Sequence, residues 1–207
     1  MAFQSGDIAA CFGTDVTSRT ISALTSSPLA PHRLRWAPSH VAIVADWQKD
    51  TLWIESTTLC PHPCEFHQRT IEGPQAHQPL VRIADYVQAG GRVDIYRPTP
   101  VNQLCKSERH LLSDVLINNF VLASLPYDLA GALLSGTRLL QRTRLFPDAD
   151  FHSLFCSELV AAVLMRLGRL NRDNPTRYHP GRLLRTLVRT GTYQFVESYP
   201  TPTTERT

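Results

Sequence analysis

Two β-rich segments separated by four residues constrain this chain more than any other feature. Ser39 to Asp46 reads Ser-His-Val-Ala-Ile-Val-Ala-Asp, and Thr51 to Thr57 reads Thr-Leu-Trp-Ile-Glu-Ser-Thr. β-Branched and aromatic residues suit a pleated surface, and so short a connection joins only antiparallel neighbours. An antiparallel hairpin is therefore expected. Two polar residues interrupt it: His40 opens the first strand, and Glu55 sits between Ile54 and Ser56 in the second. A two-residue loop at Trp47-Gln48 places His40 opposite Glu55, with Cβ atoms roughly 5 Å apart. A four-residue loop, Trp47 to Asp50, shifts the pairing by two and leaves them diagonal neighbours on one face. An odd-length loop puts them on opposite faces.

Further strands are expected at Gly6 to Phe12, Arg92 to Arg97 and Tyr193 to Glu197. Ser18 to Leu24 reads as helical turns capped by Ser18 or Thr17. Ser107 to Ala123 has the apolar spacing of an amphipathic helix, and Leu129 to Leu140 is read as helical too. Pro180 to Val188 carries proline in its first turn. Val81 to Ile83 reads as a strand edge followed by a short helix from Ala84 to Gln88. Thr58 to Pro79 reads as one long polar loop, of a length usually functional or disordered. At 207 residues the chain is expected to form one domain over 1–199, with a disordered polar tail over 200–207.

The first residues lack the basic start and apolar run of a secretory signal. The longest apolar stretch, Leu111 to Leu134, is broken by Asp114, Asn118, Asn119, Pro126 and Asp128, so it does not read as a membrane span. A cytoplasmic location is the default expectation, with export by a signal-independent route left open. In that reduced setting the five unevenly spaced cysteines are not expected to form disulfides. The net charge of +3 is too mild to imply a polyanionic partner, and no nucleic-acid motif accompanies the arginine clusters. Cys60-Pro61-His62-Pro63-Cys64-Glu65-Phe66-His67 invites a zinc reading, but it lacks a second ligand knuckle, so neither metal nor cofactor is expected. His32, Arg33, Arg35 and Trp36 form a basic, aromatic loop before His40. It is a candidate contact for an anionic substrate or, peripherally, a phospholipid surface.

Cys156 follows the aromatic run Phe151-His152-Ser153-Leu154-Phe155 and opens a segment with helical apolar spacing through Leu159, Val160, Val163, Leu167 and Leu170. A thiol at a helix N-terminus faces unpaired backbone N–H groups, which favour thiolate and can hold an oxyanion. A cysteine nucleophile needs an imidazole to move its proton, and a third polar group to orient that imidazole. His40 and Glu55, if they share a face, meet that requirement.

Gly6-Asp7 before a first strand, then Ser39-His40-Val41-Ala42-Ile43-Val44, Glu55 in the next strand, and Phe155-Cys156-Ser157-Glu158-Leu159-Val160 far downstream together resemble the circularly permuted NlpC-like branch of the papain superfamily, with the bacterial YiiX-like proteins nearest. Tyr127-Asp128 resembles a Tyr-Asp element found before the nucleophile in such proteins. The resemblance spans Gly6 to about Leu170. It implies an α+β fold, an antiparallel sheet packed against helices. Catalysis would use Cys156 as nucleophile, His40 as base and acid, and Glu55 as its orienter. The backbone N–H of Cys156 would serve the oxyanion; Ser157 and Tyr127 are further oxyanion or cleft candidates. The implied activity is amide hydrolysis, peptide or acyl-amide, through an acyl-enzyme. The same site acting on lipid esters, as an acyltransferase, thioesterase or phospholipase, is the second reading. A non-catalytic binding module is the third.

Overall fold

Among the described residues, six strands pair antiparallel throughout: β1 (Ile8–Phe12), β2 (His40–Trp47), β3 (Asp50–Thr57), β4 (Gly73–His77), β5 (Arg92–Pro98) and β6 (Tyr193–Tyr199), in the order β4-β3-β2-β1-β5-β6. The computed structural model describes residues 2–57, 60–123 and 152–200. Helices α1 (Val16–Thr25), α2 (Pro79–Gln88), α3 (Lys106–Asp114), α4 (His152–Arg166) and α5 (Pro180–Arg189) complete an α+β architecture. The read helix Leu129 to Leu140, Tyr127 and residues 201–207 lie outside the described residues.

The hairpin of β2 and β3 turns through Gln48-Lys49, with Gln48 at φ 54°. A positive φ at the first loop position is what a tight, right-twisting two-residue hairpin requires. Trp47 faces Asp50 and Ile43 faces Ile54, the register shifted by two. Extended to the strand ends, it sets Glu55 across from Ala42 and diagonal to His40. Side-chain period 2 keeps both on one face.

The two faces of the sheet bury different layers. Ile8, Ala10, Val41, Ile43 and Ile54 pack with Leu112 of α3, Leu116 just after it, Leu159, Val160 and Val163 of α4 and Leu183 of α5. Ala9, Cys11, Ala42, Trp53, Val93 and Ile95 pack with Ile83 of α2. Helix α4 crosses β2 and β3. Both sheet faces are covered, which explains the near-continuous apolar run of β1 and β2.

Several local expectations change. Helix α1 is capped by Asp15, whose Oδ1 accepts the Ser18 N–H at 2.8 Å, rather than by Ser18 or Thr17. Residues 79–88 form one helix with proline at its start, where a missing N–H costs nothing, so the strand reading of Val81 to Ile83 is wrong. The long loop after β3 contains β4. The expected regular helix Ser107 to Ala123 loosens after Asp114 into wider π turns over Val115–Val121, with Leu122 N–H donating to Ile117 C=O at 2.7 Å. The wider turn lets the adjacent pairs Leu116-Ile117 and Phe120-Val121 all reach the core.

Candidate active site

Strand β1 sets the position of His40. Ser39 donates its backbone N–H to Cys11 C=O at 2.9 Å, and its hydroxyl donates to the same carbonyl at 3.2 Å. The hydroxyl also accepts the Gly13 N–H at 3.2 Å. The next residue, His40, then pairs with Cys11 across the ladder. Replacing Ser39 with alanine is expected to cost roughly 1 kcal/mol, because the Gly13 N–H loses its acceptor. Urea unfolding checks this; an unchanged midpoint would show that Ser39 does not hold the strand entry.

Diagonal placement on β2 and β3 becomes contact in the folded chain. Buried His40 Nε2 lies 2.7 Å from Oε2 of fully buried Glu55. His40 also shares a side-chain hydrogen bond with Cys156 of α4. In a neutral ring that keeps the bond to Glu55, Nε2 carries the proton. The three residues expected from the sequence therefore converge, with His40 in the middle.

Arg82 was missed by the sequence reading. It lies on α2, is nearly fully buried, and its Nε donates to Glu55 Oε1. Its Nη1 donates to Asp85, which also accepts from His62 Nε2 at 2.9 Å. A chain of polar contacts thus runs from His40 through Glu55, Arg82 and Asp85 out to the half-exposed imidazole of His62. Pro79 was the available signal, since a helix beginning there puts Arg82 in its first turn with Ile83, Tyr86 and Val87 on the apolar stripe.

Electrostatics follow from this packing. Burial would push His40 down, but the charge of Cys156, its hydrogen bond and Glu55 overcome that and raise it from 6.5 to about 10. Burial would raise Glu55, but the hydrogen bonds and charges of His40 and Arg82 hold it far below the ordinary carboxylate range. Cys11, across the ladder from His40, is the opposite case. Burial and then the Glu55 charge push its thiol well above the usual range, so it stays protonated and inert.

Cys156 is not at a helix N-terminus. Helix α4 begins at His152, so the cysteine sits one turn inside, beyond the first four N–H groups that lack intrahelical acceptors. Its backbone N–H belongs to the helix ladder, and the dipole effect fades within the first turn. Ser157 is fully buried in the same helix. Among the loop candidates, Arg33 lies over the Phe195 ring at 3.8 Å and Arg35 is exposed. Trp36 is 52% exposed and lines an open cleft of about 780 Å³ with Phe12, Gly13, Arg19 and Arg92. That cleft borders the strand end carrying His40, because Gly13 is bonded to Ser39.

The Cys60 to His67 loop does not gather its own ligands. Cys64 Sγ accepts the Ala76 N–H at 3.5 Å, His62 bonds Asp85, and His67 Nε2 donates to Val121 C=O at 2.8 Å. Ligand atoms of Glu55, Cys60 and His77 do lie within 4.8 Å of one another. Both Glu55 oxygens already accept hydrogen bonds, His77 Nε2 bonds Gln75 Oε1 at 2.8 Å, and the Arg82 guanidinium sets a fixed positive charge against a cation. Among the described residues no disulfide joins the cysteines.

No protein-family model matches the chain, and no curated protein matches it either.

Proposed function

We propose that this protein is a thiol hydrolase of the circularly permuted papain-like, NlpC-like type, cleaving an amide bond in a peptide or acyl-amide. The observation that carries the reading is His40, buried and bonded at once to the Cys156 thiol and the Glu55 carboxylate. The Cys156 thiol passes its proton to His40, and Sγ attacks the carbonyl carbon as the carbonyl π pair moves onto oxygen. His40, as imidazolium, gives its proton to the leaving nitrogen as the C–N bond breaks, leaving a thioester. Water then attacks the thioester, His40 takes its proton, and the carboxylic acid departs as the thiol re-forms. Glu55 orients the imidazole through Nε2 and stabilises its charge, the role of the third residue in such sites. Arg82 is a positioning residue acting through Glu55.

A second reading keeps the site and changes the substrate to a lipid ester or thioester. The exposed Trp36 beside Arg19 favours it, since an indole and a guanidinium group suit an amphipathic, anionic molecule. No helix among the described residues is long and apolar enough to cross a membrane.

A panel of fluorogenic amides, acyl thioesters and phospholipids, followed by intact-mass detection of the acyl-enzyme, tests both readings. The expected result is a mass increase on Cys156 with one substrate class and none in Cys156→Ser. Turnover that survives Cys156→Ser would refute the mechanism. No acylation by any class would leave the binding-module reading in its place.

A further inference from the structure

Helix α5 has two unlike sides. Leu183, Leu184 and Leu187 are buried in the core. Arg182, Arg185 and Arg189, at helical spacing, border a cleft of about 660 Å³ whose other wall is the loop with Ser27, Leu29 and Pro31. Among the described residues no carboxylate lines this cleft. Among the described residues, none of the three arginines takes part in an ion pair. Arg182 is held without being neutralised: its Nη1 donates to Arg177 C=O at 3.2 Å, and its guanidinium lies 5.3 Å from the centre of the Tyr178 ring.

Arg185 is the most buried of the three. Its side chain is half-buried in the cleft wall, with Nη1 turned inward. Burial lowers the pKa of Arg185. The nitrogen lies close over Gly181, where an added Cβ would stand 2.8 Å from it, so the glycine makes room for the guanidinium.

We infer that this cleft binds a phosphate group, held by Arg185 together with Arg182 and Arg189. Phosphate fits better than carboxylate because three forked cations face one space, and a tetrahedral dianion offers enough acceptor oxygens for them. The Ser27 and Thr186 hydroxyls on the walls add donors. Leu29, 95% exposed on the same wall, suits a phosphate carried by a lipid; a soluble phosphate ester would use the arginines alone. None of Cys156, His40 or Glu55 lines the cleft, so the site stands independently of the hydrolase reading.

The test uses the full chain carrying Cys156→Ser, so that turnover does not enter. Glycerol 1-phosphate binding is measured by calorimetry, and vesicle binding by flotation with phosphatidylglycerol against phosphatidylcholine. Binding to at least one phosphate probe is expected to be saturable and to weaken by about tenfold or more in Arg182→Gln/Arg189→Gln, whose altered side chains are exposed and whose fold is checked by thermal unfolding. Arg185→Lys, which keeps the charge and loses the fork, is expected to weaken binding too. Lys106→Gln/Arg172→Gln removes the same charge elsewhere and is expected to leave binding unchanged. Binding of glycerol 1-phosphate identifies a soluble ester site. Vesicle-only binding that Leu29→Ser reduces identifies a lipid headgroup site. No binding of either probe, or an equal loss in the Lys106→Gln/Arg172→Gln control, overturns the inference.

Discussion

His40→Ala is expected to lower kcat/KM by roughly 10²–10⁴-fold, the usual contribution of a positioned acid–base group. The size follows from how much of the chemistry passes through one ring. Cys156 sits a full turn inside α4, so the helix terminus offers it little stabilisation. Its remaining source of activation is the hydrogen-bonded imidazole. A readout that needs no substrate is alkylation by iodoacetamide followed residue by residue with peptide mass spectrometry. In the unsubstituted protein, Cys156 is expected to be alkylated and Cys11 to stay unmodified. His40→Ala is expected to slow the reaction of Cys156 only. Equal rates in both proteins would sink the thiolate–imidazole pair and leave Cys156 as a packing residue.

Glu55→Gln is expected to act on both stability and pH dependence. The carboxylate lies between two cations, His40 and Arg82, and all three groups are buried. Removing its charge leaves Arg82 with Asp85 alone and should destabilise the fold by about 3–5 kcal/mol, as breaking a buried pair does. The pH effect has a definite sign. Folding raises His40 from 6.5 to about 10, so its paired, protonated form stabilises the fold fully below about pH 6.5, and this contribution is lost as pH rises through about 10. Glu55, held below its usual range, contributes above about 4.5, and that part is lost as pH falls toward its folded-state pKa. In Glu55→Gln the support for imidazolium is smaller, so the alkaline limb of kcat/KM should move to lower pH, and the acid-side stability loss should shrink. A variant whose alkaline limb stays in place would show that Glu55 does not tune His40. Comparing urea denaturation with the pH–rate profile separates the two effects.

The hairpin was readable because its evidence is local. The β-branched and aromatic runs Val41 to Ala45 and Leu52 to Ile54 mark two strands, and an even-length connection keeps His40 and Glu55 on one face in either permitted register. The observed register is the diagonal one, and their side chains close the remaining gap. Arg82 was unreadable for a local reason of its own. Ile83 beside Val81 and Leu80 looks like strand edge, and only the Pro79 start and the spacing to Tyr86 and Val87 say helix. The start of α4 was misplaced because Phe151 to Phe155 carries no capping residue that would mark a helix at His152. The loop after β3 hid a strand because Gly73-Pro74-Gln75-Ala76-His77 has weak β-propensity and pairs only through its neighbour β3.

By itself, the sequence determined the elements whose signals lie within a few residues: the β2–β3 hairpin, the amphipathic α5, and the shared face of His40 and Glu55. Such signals depend on a period of two or 3.6 and on the turn chemistry between them. Only the tertiary structure decided which of five thiols meets the imidazole, and that a buried arginine backs the carboxylate. Cys11 is paired with His40 across the ladder, yet burial silences it, while Cys156 arrives from a helix far along the chain. The physical reason is that side-chain convergence across layers depends on how α2 and α4 pack on the two faces of the sheet. That packing is set by the summed burial of residues distant in sequence, and no short-range pattern encodes it.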